Sequence, residues 1–238
     1  MAKRYLSLPI RSGNYKISEG WVYSKKENEI HGKINHFAID FTLPRGDKVF
    51  AAASGWAIAS YYRFLIVDSE TKKLLIFKDR PLGFGLGFFV QIYHTEVDRY
   101  TQYGHLENVS PRIPFARPRR MRDGRLIPIG HKVSPDRYPA YRKTIWVEKG
   151  EVIGFIGDSG LTWGYDDYPQ RPDPLKFPSW DETHLHFEEF ARDKTGRKIG
   201  QRDPYDVRKT YQFYSWPGHM RTLGPNLLWE KVEQGLPK

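Results

Sequence analysis

At 238 residues the chain is long enough to bury a core of its own, and with 28% charged and 15% aromatic residues its composition excludes an intrinsically disordered protein. The absence of cysteine excludes disulfides and any thiolate-ligated metal, so a metal site would have to be built from His, Asp and Glu. The net charge of +10 favours anionic partners, nucleic acid among them, through long-range steering, and no apolar run approaches the ~18 residues needed to cross a bilayer.

The elements read mainly as β-strands. The start, Met1-Ala2-Lys3-Arg4-Tyr5-Leu6, is basic but has no apolar stretch of the kind that marks a secretory signal. His36-Phe37-Ala38-Ile39-Asp40 places an imidazole and a carboxylate four residues apart at a partly buried strand end. Leu43-Pro44-Arg45-Gly46-Asp47 then gives a turn. Apolar and aromatic runs at 49–53, 56–62, 74–77, 88–93, 151–156 and 184–190, separated by Gly, Pro, Asn or Asp, predict strands. Gly-rich Leu82 to Gly87 reads as a loop; without a following helix and a Lys-Ser/Thr pair it is no phosphate cradle. Residues 108–146 hold a proline-broken basic stretch that includes Arg112, Arg117, Arg119, Arg120 and Arg122. It is too long for a routine turn, and reads as a functional loop or a disordered one. Thr162 to Asp181, with Trp163, Tyr165, Asp166 and Asp167, reads as a third loop whose carboxylates are solvated. Helical periodicity is confined to a short helix around Leu227 to Gln234 and a turn at Asp206 to Tyr211, and no internal repeat is visible.

Three of these segments can carry chemistry. His184-Leu185-His186 puts two imidazoles on one face of a strand, where both can approach one ion or one can act as a base beside it; a solvated surface pair has the same spacing. The His36/Asp40 spacing is repeated by His94-Thr95-Glu96-Val97-Asp98, but that second copy runs into polar residues and reads as a strand end with a solvated Asp. His105, in Tyr103-Gly104-His105-Leu106, taken alone fits a packed histidine bonded to a carbonyl.

Taken in order, His-x-x-x-Asp, then Tyr-x-His-Leu, then His-Leu-His-Phe-Glu, the chain resembles the lysostaphin/LytM-type zinc endopeptidases of bacterial cell walls. The glycine-punctuated stretch from Glu148 to Gly160 and the Asp203-Pro204 ending agree with that resemblance, which covers about residues 20 to 206. It implies an antiparallel β core carrying a groove walled by long loops, with few short helices. It implies one domain over 1–238, with a core at about 20–206, the inserted basic loop at about 108–146 and a C-terminal extension at about 207–238. It also implies one zinc ion per chain held by His36, Asp40 and His186, with His105 and His184 as the non-ligand catalytic pair, their individual roles left open. The substrate would be peptidoglycan peptides, at a D-alanyl cross-link or a glycine bridge, with anionic wall polymers as further partners and the cell envelope or exterior as the location.

Geometry sets one condition. In a fully extended strand the α-carbons of His36 and Asp40 would lie about 13 Å apart, so the backbone must bend between them; the family often has glycine in the middle, where this chain has Ala38. Two other functions remain open: a non-catalytic relative that binds wall or a partner, and a basic nucleic-acid binder drawing on Arg112 to Arg122. The first commonly lacks ligands that this chain keeps, and the second leaves the order of the histidines unexplained.

Overall fold

The computed structural model describes residues 3–11, 15–21, 36–65, 70–73, 76–77, 80–81, 83–116, 144–161, 183–206 and 227–230. Twelve strands run in chain order: β1 (Lys16–Glu19), β2 (Ile39–Thr42), β3 (Lys48–Phe50), β4 (Gly55–Leu65), β5 (Ile76–Phe77), β6 (Arg80–Pro81), β7 (Gly83–His94), β8 (Arg99–Val109), β9 (Ile145–Val147), β10 (Val152–Ile156), β11 (Leu185–Arg192) and β12 (Lys198–Ile199). Ten form one antiparallel sheet with the path β1-β2-β11-β8-β7-β4-β9; β10 pairs with both β3 and β8, and β12 with β11, while β5 and β6 pair separately. Among the described residues there is no helix.

Alternation along the strands gives the sheet two unlike faces. One carries Ile39, Phe41, Val90, Ile92, Tyr103, Leu185 and Phe187, all essentially inaccessible to water. Against it pack Tyr5 and Leu6 near the start of the chain and Leu227, Leu228 and Trp229 near its end. Those end segments are tied together by Tyr5 N–H and Leu6 N–H to Leu228 O and by Glu230 N–H to Leu6 O. Residues 227–230 are thus not the start of a helix: Trp229 bridges Leu6 in parallel, and its burial in the core takes precedence over a weak helical pattern. The remainder of that expected helix, 231–234, and 207–211 of the expected turn, lie outside the described residues.

The Gly-rich segment expected as a loop is strand instead. Residues 83–87 belong to β7 and pair with β4, from Leu65↔Gly83 to Tyr62↔Gly87. The glycines serve close approach: a Cβ on Gly87 (φ 58°) would lie 2.1 Å from Ser159 O. The turn holding Ser159 can therefore press directly on β7. The basic segment also begins in order. Ile113 and Phe115 are buried, and the backbone of 114–116 bonds Ala59 on β4 through Ala59 N–H to Pro114 O (2.9 Å) and Ala116 N–H to Ala59 O (2.7 Å). Arg112 pairs with Glu151 at 2.5 Å. Arg117, Arg119, Arg120 and Arg122, like residues 162–181 expected as a loop, fall outside the described residues.

Candidate metal centre

The second face of the sheet collects the polar groups. His186 on β11 lies directly opposite Asp40 on β2 and opposite Gly104 on β8. Gly104 leaves room there, since a Cβ on it would meet the Leu86 side chain at 2.8 Å. His36 reaches Asp40 because the chain does bend between them. The bend is at Phe37, with φ at 62°, and not at Ala38. A left-handed conformation in a bulky residue costs on the order of 1–3 kcal/mol. It is held by two bonds to Trp21 O, from His36 N–H (3.0 Å) and Phe37 N–H (3.2 Å), and by the edge of the Trp21 ring on Phe37 at 5.4 Å. His105 enters by a similar device. Pairing of β7 with β8 slips between Phe88↔Leu106 and Val90↔Tyr103, so β8 carries an extra residue there, and His105 sits in that bulge with φ at 59°. His184 precedes β11, its N–H bonded to Gly157 O at 3.2 Å.

The side chains converge. One ligand atom each from His36, Asp40 and His186 lies within 4.8 Å of the others, and among the described residues this is the set able to hold a metal ion. His36 Nε2 is 3.3 Å from Asp40 Oδ2, and His186 Nδ1 is 2.9 Å from Asp40 Oδ1. Ligands of a tetrahedral ion at about 2.0–2.1 Å would stand roughly 3.3 Å apart, so these distances suit one small cation. His184 Nε2 stands 3.8 Å from Asp40 Oδ2, and the His105 ring stacks obliquely on His184 at 4.5 Å and meets His186 edge-on at 5.7 Å.

Hydrogen bonds on the outer side decide what the inner nitrogens can do. His36 Nδ1 is 2.9 Å from Gly20 O and so carries its proton there, which turns the Nε2 lone pair toward Asp40. Burial holds His36 below the ordinary histidine pKa against the opposing pull of Asp40, so at neutral pH an imidazole acceptor faces a carboxylate acceptor. A cation between them resolves that opposition. His105 is arranged alike, with Nδ1 3.0 Å from Ser159 O and burial pushing its pKa well down. His186 lies between two carboxylates, with Nε2 3.3 Å from Glu188 Oε1. Burial disfavours its charge, but Asp40 and Glu188 outweigh burial and raise its pKa to about 9. A metal ion would displace the Nδ1 proton and leave the Nε2–H on Glu188. Asp40 is pulled far below the carboxylate range, its burial outweighed by the electrostatic pull that His36, His184 and His186 exert in their protonated forms. The donor set, two imidazoles and one carboxylate with the outer nitrogens engaged, therefore fits zinc.

All five residues expected at the site thus come together. The outer groups were missed: Gly20 O, Ser159 and Glu188 were not singled out. Glu188 is held by Lys198 Nζ (2.8 Å) and Gln102 Nε2 (2.8 Å), and Ser159 Oγ accepts from Phe88 N–H (2.8 Å) and donates to Leu106 O (2.6 Å). For Glu188 a signal existed, since i and i+2 on a strand share a face; for Ser159 and Gly20 the contacts cross 54 and 16 residues and leave no local trace. The second His/Asp copy stands apart from this centre, as its polar context suggested. His94 bonds Ser54 O (2.9 Å) and Thr101 Oγ1 (2.8 Å), and Asp98 is exposed in a turn.

Fold and site together define an antiparallel sheet carrying a two-histidine, one-carboxylate candidate metal centre. No family model matches the chain, and no curated protein matches it in sequence. Solved structures similar to it include lysostaphin, the antimicrobial peptidase from Staphylococcus simulans, at 16% identity and a TM-score of 0.44, covering 94% of this chain and 61% of that one. Csd3 from Helicobacter pylori is similar at 16% identity and a TM-score of 0.41, with 92% and 38% covered. A zinc containing peptidase from Vibrio cholerae is similar at 18% identity and a TM-score of 0.42, with 83% and 39% covered. The chain thus spans less than half the length of the last two. With TM-scores this low, the reading of the site rests on its own side chains.

Proposed function

We propose that the protein is a zinc-dependent endopeptidase that hydrolyses peptide cross-links or bridges of bacterial peptidoglycan, working at the cell envelope or outside the cell. The observation that supports it most is the convergence of His36 Nε2, Asp40 and His186 Nδ1 within 4.8 Å, beside two further histidines that are not needed as ligands. The substrate class comes from the resemblance in motif order. Zinc bound there would polarise the scissile carbonyl and make water usable as a nucleophile near neutral pH.

The chain's own residues supply the rest. His105, with Nδ1–H fixed on Ser159 O and burial favouring its neutral form, keeps a lone pair on Nε2 that accepts the proton of the attacking water and then returns it to the leaving amine. His184, beside it, donates to the carbonyl oxygen as charge develops there. Glu188 keeps His186 in the tautomer and orientation that a ligand needs.

The test is to incubate the purified, zinc-loaded protein with peptidoglycans of different bridge types and identify the newly released amino termini. New termini at one bond type, absent with Asp40→Ala, support the reading. No release from any peptidoglycan by a zinc-loaded sample contradicts it.

A further inference from the structure

The polar face carries a second feature that the centre does not use. One rung of the sheet is aromatic across five adjacent strands: Phe190 on β11 pairs with Tyr100 on β8, Tyr100 with Tyr93 on β7, Tyr93 with Trp56 on β4, and Trp56 with Trp146 on β9. Directly paired residues share a face, and Phe190 is four residues from His186 on one strand, so this rung lies on the same face as the candidate metal ligands. Trp56 and Trp146 are 42% and 37% exposed, although such rings normally seek burial. They pack edge to face at 5.4 Å, while Tyr93 and Tyr100 form a second pair at 4.8 Å. Trp56, Tyr93 and Tyr100 border a hollow of about 400 Å³, which Ile58, Gln91 and Thr144 also line among the described residues.

We propose that this hollow is a sugar-binding subsite, taking rings of the glycan strand from which the wall peptides branch; the proposal rests on the peptidoglycan reading above. In a chain of net charge +10, every described residue lining the hollow is neutral, which suits an uncharged ligand better than a phosphate polymer. Aromatic faces stack on the C–H faces of pyranose rings, and strands spaced about 4.8 Å apart place successive rings at close to the length of one sugar unit. Hydroxyls and acetamides also need hydrogen-bond partners. Gln91 supplies one: its Nε2 spends a single N–H on Gln102 and its Oε1 accepts from Arg192, which leaves a donor and a lone pair for a ligand. A cage for a quaternary ammonium has no use for such an amide.

The hollow is also joined to the centre. Gln91 bonds Gln102, Gln102 bonds Glu188, and Glu188 bonds His186. From His186 the aromatic rung lies four residues, about 13 Å, along β11, and the hollow lies two to three strands, about 10–14 Å, to the side, roughly 16–19 Å in all, which an extended peptide of about five to six residues would span. A sugar seated at the aromatic rung would thus let its attached peptide reach the histidines.

The test uses the full chain, zinc-loaded, and a four-unit oligosaccharide of β-linked N-acetylglucosamine that contains no peptide. Saturable binding at millimolar concentration is expected, read from tryptophan fluorescence and calorimetry. Trp56→Ala and Tyr93→Ala should each weaken it about threefold to tenfold, the scale of one stacked ring. Removing zinc with a chelator should leave the sugar affinity within about twofold. If Trp56→Ala does not keep the wild-type melting temperature, Trp56→Phe and Gln91→Ala replace it, each with a smaller loss. Absence of saturable sugar binding, or binding unmoved by the folded variants, overturns the proposal. So does Trp56-dependent binding of choline or of a proline-rich peptide where the sugar fails. Sugar binding by a protein that releases no amino termini from peptidoglycan would support the subsite and remove the peptidase reading; hydrolysis without sugar binding would do the reverse.

Discussion

Two histidine-aspartate pairs with the same four-residue spacing have opposite fates in this molecule. His36 and Asp40 approach to 3.3 Å, because Phe37 adopts a left-handed conformation and folds the imidazole back over the strand that carries the carboxylate. His94 and Asp98 are spread around a hairpin turn. There the left-handed residue is Asp98 itself, its carboxylate accepts from the exposed Tyr93 hydroxyl at 3.0 Å, and the histidine faces the core. Spacing brings the two residues within reach; the neighbouring strands decide whether they meet. Asp40 lies opposite His186, whereas His94 lies opposite Arg99.

The largest effects expected from breaking this contrast are on hydrolysis. Asp40→Ala should abolish release of amino termini from peptidoglycan, while Asp98→Ala should cut a soluble wall peptide within about twofold of wild type. Next come the histidines proposed to act beside the metal without ligating it. His105→Ala and His184→Ala should each lose about 10² to 10⁴ in rate while keeping zinc and fold, as befits proton-transfer and oxyanion roles. Steady-state rates together with elemental analysis separate those losses from loss of metal. Wild-type turnover in either metal-loaded variant would remove that residue from the mechanism.

A smaller effect is expected one shell outward. Glu188→Ala should weaken zinc about 10- to 100-fold in a chelator competition, and Glu188→Gln, whose carbonyl can still accept from His186 Nε2, should recover part of it. Equal affinity in all three proteins would show that the Glu188 contact does not orient the ligand.

The smallest effect belongs to the other copy and concerns stability. Burial holds His94 below the ordinary histidine pKa, against opposing contributions from Ser54 O and Glu189. Its folded pKa is depressed, so the stability it contributes is fully present above the unfolded value near 6.5 and is lost as pH falls through the lower folded value. His94→Gln should cost about 1–3 kcal/mol at pH 7.5 by leaving buried polar groups imperfectly paired, and should flatten the loss of stability on acidification below about pH 6.5. Thermal melts of both proteins from pH 5 to 8 check it; an unchanged pH profile would show that His94 does not titrate on unfolding.

The sequence made the β architecture legible because most strands alternate or run apolar between turn residues, and it marked all five central side chains because their motifs fall in order. Residues 83–87 escaped, since glycine reads locally as a break while here it answers to Ser159 pressing on the strand from 72 positions away in sequence, the span from Gly87 to Ser159. The bend was foreseen between His36 and Asp40, but its place at Phe37 depends on Trp21, which no spacing rule connects to it. The burial of Trp229 against Leu6 likewise joins the two ends of the chain, and only the folded core brings them together.

Zinc titration of the metal-free protein tests the central claim most directly. The structure predicts one zinc per chain, with binding lost in His36→Ala, Asp40→Ala and His186→Ala and kept in His94→Ala and Asp98→Ala. Zinc bound at full affinity by folded Asp40→Ala, or lost from folded Asp98→Ala, would contradict it.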